Sequence, residues 1–319
     1  MVVTDPFYLD NSTLKPVATC STQAWLRYWL GYTSPEERAE LKSGSAAHEA
    51  EAVYFRGGSG ADALATYERE YREWSDANVA PDHRLTWENT SKILAYWFET
   101  HPRASLPFTI KPDLVEIGFA FPLTDDIVFC GRIDDVAQGR DDRAWYVVEN
   151  KHTGRISPDW IKQYRMDSQL SGYIWAAQQH TSQPVVGAFV NAIEFSRLPS
   201  DPTRKCKKHA VLFPECAHLH ATFDLLIVSR TPEALRKWKA TAIKLARRFI
   251  EMATKWPTID YLPAVPMEGT FHGACRFCAF HDFCSVGRPA NMVSSMLVHE
   301  PWKPFDYAQG KREESALKP

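Results

Sequence analysis

The chain has 319 residues and a mass of 36.3 kDa; 45% of its residues are hydrophobic and 24% charged. That balance excludes a disordered chain and suits one large globular domain. The formal net charge of -2 and a pI of about 6.6 give no overall basic field, so attraction to a polyanion has to be local.

No apolar run approaches the roughly 18 residues that suggest a membrane span, so no membrane partner is expected. The start, Met1 to Asp10, has neither a basic leader nor an apolar stretch, which predicts no signal peptide and a cytoplasmic location. The seven cysteines, at 20, 130, 206, 216, 275, 278 and 284, are an odd number. Without an export signal, thiol or metal chemistry is expected before disulfides.

In chain order, residues 20–31 read as a short aromatic helix ended by Gly31. Residues 35–55 read as a second helix, and 61–78 and 84–101 as two more. The character then changes. Residues 113–121, 127–136 and 144–151 are rich in β-branched and aromatic residues and separated by turn-like breaks, so three strands are predicted. A helix over 158–180 follows, then a strand over 185–195, a basic loop over 200–209 and a strand over 218–228. From Pro232, Leu235, Trp238, Ala242, Leu245, Phe249 and Met252 form one apolar stripe, which predicts a helix over 232–255. Beyond Pro257 the chain reads as loop, and from Pro289 it has little periodicity. The order β-β-β-α-β predicts an α/β fold with a mixed central sheet flanked by helices. The reading is one domain over 1–290 with a helical insertion at 52–110, and a C-terminal tail over 291–319.

The central fragment is Gly131-Arg132-Ile133-Asp134, followed by Glu149-Asn150-Lys151. Residues two apart on a strand share a face, so Glu149 and Lys151 project together. If the two strands form a hairpin, Asp134 lies roughly opposite Glu149. Two carboxylates suit a hard divalent cation such as Mg²⁺ or Mn²⁺, which can generate hydroxide and stabilise charge at phosphorus. A nearby lysine can orient water. Alone, Glu-x-Lys also fits a solvated strand end. Gln169 and Tyr173 share a helical face, where Tyr173 could equally be core. His48 follows Gly44 on a helix, as a candidate ligand or a satisfied surface residue.

In this order, Gly44 to His48, Gly131 to Asp134, Glu149 to Lys151 and Gln169 to Tyr173 resemble the PD-(D/E)XK nuclease superfamily, in its RecB-like branch. The resemblance implies a restriction-endonuclease-like core. It implies His48, Asp134, Glu149 and the carbonyl of Asn150 as metal ligands, Lys151 in catalysis, and Gln169 and Tyr173 in support. DNA, as single strands or duplex ends, is the implied substrate, and a metal-dependent exonuclease the implied activity.

Cys275-Arg276-Phe277-Cys278 with Cys284 supplies three thiolates where a tetrahedral metal or a cubane cluster takes four. CRISPR-associated and AddB-type relatives look similar and carry one cysteine before the nuclease core and three after it. That resemblance implies that Cys20, Cys275, Cys278 and Cys284 bind a [4Fe–4S] cluster and staple the C-terminus to the N-terminal helix. Local spacing also admits zinc, with His272 or His281 as fourth ligand. Cys206, Cys216, His209, His218 and His220 are too irregular to suggest a site, and Cys130 reads as a buried small hydrophobe.

For DNA contact, Arg204, Lys205, Lys207 and Lys208 form one basic strip, and Arg236, Lys237, Lys239, Lys244, Arg247 and Arg248 another. The insertion's Tyr67, Tyr71, Trp74, Trp87, Tyr96 and Trp97 are expected in the core rather than as base-stacking surfaces. The competing function is a cluster- or zinc-stabilised nucleic-acid-binding or assembly protein without turnover. Recombination, repair, spacer acquisition and a phage-encoded role stay open, as do a second copy of the chain or a repair protein as partner.

Overall fold

The computed structural model describes residues 6–181, 183–199, 203, 205–206, 210–212, 220–271 and 273–309. The elements in order are β1 (Phe7–Leu9), α1 (Asn11–Thr19), α2 (Ser21–Ala24), β2 (Tyr32–Thr33), α3 (Ala39–Phe55), α4 (Gly60–Asn78) and α5 (Trp87–Thr100). There follow β3 (Phe108–Thr124), β4 (Ile127–Gly139), β5 (Trp145–Thr153), α6 (Pro158–Tyr164), α7 (Ser168–His180), β6 (Val185–Glu194), β7 (Phe223–Ser229) and α8 (Pro232–Lys255). The C-terminal part adds α9 (His281–Ser285), α10 (Val293–Met296), β8 (Val298–His299) and α11 (Pro304–Gln309).

The sheet is mixed, as expected. Strand β4 pairs antiparallel with β3 along one edge. Its other edge is shared by β1, parallel at Phe7–Leu9, and β5, antiparallel from Asp135 to Gln138. Then β6 adds parallel to β5, and β7 antiparallel to β6.

Alternation along β5 sends Val147 and Val148 to opposite faces, each into its own core. On one face lie α3, α4 and α5, contributing Tyr54, Tyr67, Tyr71, Ile93 and Trp97. The other face is covered by α7 and α8, through Ile174, Ala177, Ala242 and Ala246. The insertion's Tyr67, Tyr71 and Trp97 are therefore buried, as expected, and offer no surface to bases. Cys130 is buried too, its Sγ donating to the carbonyl of Leu9 at 3.5 Å.

Several boundaries differ from the sequence reading. The helix expected over 158–180 breaks between Tyr164 and Ser168, because Asp167 caps a new helix by accepting from the Leu170 N–H at 2.9 Å. The helix expected over 20–31 is a short α-turn followed by a wider π-helical turn over Trp25–Trp29. Helix α1 was not foreseen, since Pro16 inside it reads as a breaker; Asp10 caps it and Leu14 and Val17 bury its apolar side.

The segment after 291 is not a free tail as far as residue 309. Val298–His299 pairs with β2, Phe305 packs on Tyr8 with ring centroids 4.8 Å apart, and Arg27 lies over the Trp302 ring. A third core joins the two ends of the chain: Trp25 and Leu26 meet Phe249, Met252, Phe280, Phe283, Val293 and Leu297.

Candidate metal-dependent active site

The site lies where β4 and β5 part. Their last ladder pair is Asp135 with Val148, so the next opposed residues are Asp134 and Glu149, as the hairpin reading expected. Beyond that pair the ladder ends, and the Asn150 N–H donates to Asp134 Oδ2 at 2.8 Å instead. A carboxylate thus takes the place of a strand carbonyl and wedges the fork open.

Helix α3 brings His48 to the fork, its Nδ1 3.4 Å from Asp134 Oδ2. Lys151 pairs with Glu149 and donates to Gln169 Oε1 at 3.2 Å. Gln169 Nε2 in turn donates to Tyr173 Oη at 3.2 Å. Two helices and two strands therefore assemble His48, Asp134, Glu149, Lys151, Gln169 and Tyr173 in one place. The register does this: Glu149 and Lys151 share a face by strand alternation, and Gln169 and Tyr173 share one by helical spacing.

The structure adds Glu116. His48, Glu116 and Asp134 each offer a ligand atom, all within 4.8 Å of one another. Residues 111–114 form an irregularity in β3 beginning at Lys111-Pro112, and Glu116 beyond it takes a left-handed φ of +56°. That conformation costs about 1 kcal/mol or more for a side chain with a Cβ, so the surrounding structure has to hold it. Arg132 does part of this by pairing with Glu116 across the β3–β4 ladder. The signal in the sequence was the register itself: a hairpin turning at 124–126 sets Glu116 opposite Asp134.

Burial dominates the electrostatics. It raises Asp134 to about 6, against the pull of Lys151 and the Asn150 N–H. Glu149 rises to about 7 by burial although Lys151 opposes it, and Glu116 to about 8 by burial and the Asp134 charge. Burial pulls Lys151 down, but Glu149 and Asp134 more than offset this, so its ammonium is held above the usual range. His48 falls to about 4 through burial and the neighbouring His152, leaving a neutral imidazole able to ligate a metal.

These carboxyls resist ionising together without a cation, and Glu149 Oε2 is buried with no hydrogen-bond partner. Oxygen donors plus one imidazole, with an orphaned buried carboxylate oxygen among them, fit a hard divalent cation. Behind them runs a buried polar chain. Asn150 donates to Asp135 Oδ2 at 3.1 Å and accepts from Asn191 Nδ2 at 2.9 Å, and Glu51 Oε2 lies 3.2 Å from His152 Nε2. Asp135 and Asn191 thus fix the Asn150 side chain on both sides.

The other cysteines converge separately. Cys20, Cys275, Cys278 and Cys284 line one cavity of about 190 Å³, with His281 also on its wall. A Cβ at Gly269 would sit 3.2 Å from Cys20 Sγ and 3.5 Å from Cys275 Sγ, so glycine there leaves room beside the sulfurs. Four converging thiols fit a cubane cluster as well as a tetrahedral metal. Glu268 fastens the two ends beside this cavity, accepting from the Ser21 N–H at 2.9 Å and from Arg248 at 2.9 Å. Of the zinc alternatives, His281 is exposed and lies against Asp282, and His272 lies outside the described residues.

Much of the α8 strip is engaged by acids. On α8, Arg236 and Lys237 pair with Glu233, Arg247 with Asp126 and Arg248 with Glu268. In the loop, Arg204, Lys207 and Lys208 lie outside the described residues, as do Cys216, His209 and His218. No described helix is long and apolar enough to cross a membrane.

Solved structures that match this chain include two at low similarity. One is a protein from Eubacterium rectale whose name proposes an exonuclease, 13% identical over 77% of this chain and 82% of that one, with a TM-score of 0.45. The other is SSO0001, 16% identical over 87% and 96%, with a TM-score of 0.31. Comparison with curated proteins gave no match. The family profile of the PD-(D/E)XK nuclease superfamily matches residues 11–285, from the first helix to the last cysteine of the cluster, and the chain belongs to that superfamily.

Proposed function

We propose that the chain is a metal-dependent deoxyribonuclease, acting as an exonuclease on single-stranded DNA or DNA ends. The observation that carries this reading is the fork, which gathers His48, Glu116, Asp134, Glu149 and Lys151 around one point. A bound Mg²⁺ or Mn²⁺ supplies an acidified water and neutralises charge developing on the phosphate.

The protein's own residues do the rest. Asp134, Glu149 and His48, with Glu116 and the carbonyl of Asn150, would hold the cation. Gln169 fixes the Lys151 ammonium at the edge of the ligand set. From there Lys151 aims the attacking water and stabilises the crowded phosphorus. Water oxygen bonds to phosphorus and gives up a proton to solvent, the phosphorus–oxygen bond to the leaving sugar breaks, and the leaving oxygen takes up a proton from solvent. Tyr173 keeps Gln169 oriented by accepting its amide N–H.

The four cysteines are proposed to hold a [4Fe–4S] cluster with a structural task, consistent with their shared cavity and its distance in sequence from the fork. A brown protein with broad visible absorption supports this, whereas a colourless one with stoichiometric zinc rejects it. The proposed organisation is one nuclease domain over 1–290 with 52–110 as a helical insertion.

The nuclease reading is tested by incubating end-labelled single-stranded and duplex DNA with Mn²⁺ or Mg²⁺ and resolving the products. Wild type is expected to release short products from ends. Asp134→Ala is expected to release none while keeping the wild-type circular dichroism. Full activity in Asp134→Ala would remove the assignment. DNA that is shifted in a gel yet never cut by wild type would favour a binding protein without turnover.

A further inference from the structure

The segment leaving the catalytic strand carries an unusual combination. Tyr164 packs against Trp160 and lies close enough to Lys151 to feel its charge, and Gln169 bonds Lys151 directly. Both ends of the turn 164–169 therefore border the active site. Between them Met166 is 89% exposed. Three residues from Gln169 span at most about 10 Å, so Met166 stands within a nucleotide or two of the reacting phosphate.

An apolar side chain on a loose loop would mean little. This turn is braced from behind. Arg230 Nη2 donates to the carbonyls of Tyr164 at 3.2 Å and Asp167 at 3.3 Å, and its Nε donates to Ser171 Oγ at 2.9 Å. Asp167 is committed to capping α7. With the inward side of the turn occupied, Met166 is held pointing into solvent.

The charge around it is also distinctive. Arg155, Lys162 and Arg165 are exposed, and no hydrogen bond or ion pair engages their side chains among the described residues. The α8 cations, by contrast, are mostly spent on acids. Against these three stand only Asp159 and the capping Asp167 on the same stretch.

We propose that the α6–α7 turn is the platform for the substrate strand, a reading that rests on the nuclease assignment and names its substrate class as an unpaired strand. Met166 packs its thioether on the face of the base next to the cleaved phosphate, a contact that a π-face of any sequence accepts. Arg155, Lys162 and Arg165 neutralise the phosphates that flank it. A base stacked inside a duplex has no free face for Met166, so the platform selects single strands and frayed ends over paired DNA.

The test is equilibrium binding of the full-length protein, with no divalent cation added, to a fluorescent 15-nucleotide single strand. A series carries one abasic site moved a nucleotide at a time from the end. Wild type is expected to lose about three- to tenfold affinity at one abasic position. Met166→Ala is expected to bind the intact strand more weakly by the same factor and to lose nothing further at that position. Lys162→Ala with Arg165→Ala should reduce the slope of log affinity against log salt by about 1.4, at about 0.7 per phosphate contact, whereas Met166→Ala should leave the slope alone.

If Met166→Ala binds every strand as wild type does, the platform is wrong, even in a protein that cuts DNA. If the Met166-dependent position appears in a protein that never cuts, the platform stands and the nuclease reading falls.

Discussion

At the residue scale, the site depends on carboxyls that are uncomfortable without a cation. Glu116 combines a left-handed backbone with a carboxyl that burial and Asp134 hold against ionising, and a metal ligand gives a reason for tolerating both. Glu116→Gln is therefore expected to raise the Mn²⁺ concentration for half-maximal cleavage by about tenfold or more, while the fold persists. An unchanged metal requirement would remove Glu116 from the ligand set. The pH response has a defined sign. Burial raises Glu149 from 4.5 to about 7 and Glu116 from 4.5 to about 8. The stability these groups lend the metal-free protein is full below about pH 4.5 and is lost as pH rises through 7 and 8. A cation needs them ionised, so Mn²⁺ affinity should climb from pH 6 to pH 8 with release of protons. Calorimetry in two buffers of different ionisation heat measures that release, and pH-independent affinity would contradict it.

At the element scale, much was legible because periodicity carries it. The stripe from Leu235 to Met252 gave α8 over 232–255, and the conditional hairpin reading set Asp134 roughly opposite Glu149, where the ladder puts it. Glu116 escaped notice because the sequence reading followed only the β4–β5 register, whereas the β3–β4 register sets Glu116 opposite Asp134 and its positive φ follows from no alternation. The break at 165–167 escaped because a cap by Asp167 competes with a helix pattern that runs through it on both sides. The docked C-terminal segment escaped because its contacts are single aromatic residues, Trp302 and Phe305, with no repeat to reveal them. One glycine reports on that docking. Gly31 has φ +73°, and a Cβ there would lie 2.8 Å from Pro301 Cα. Gly31→Ala is expected to cost about 1–2 kcal/mol from the backbone conformation, plus the clash, and to lower the thermal midpoint. An unchanged midpoint would mean that 298–309 does not hold to the body as described.

For the whole molecule, the chain's two ends meet at the four-cysteine cavity and at the core of Trp25, Phe280 and Phe283. The sequence separation between Cys20 and Cys275 makes a bound cluster a clamp across the entire nuclease core, so its loss should act on stability before chemistry. Cys278→Ser is expected to purify with depleted iron and a lower thermal midpoint; full iron content would contradict the assignment. The near-zero net charge is compatible with this architecture, in which acids collect at the fork and several α8 cations pair with acids elsewhere. The central claim is that the fork cuts DNA with Lys151 in the chemistry. The most direct measurement is the rate at which wild type and Lys151→Ala digest the same end-labelled single strand in Mn²⁺. The account predicts cleavage by wild type and a loss of about a hundred- to a thousandfold in the variant, with unchanged circular dichroism and iron content. Equal rates in the two proteins would contradict it.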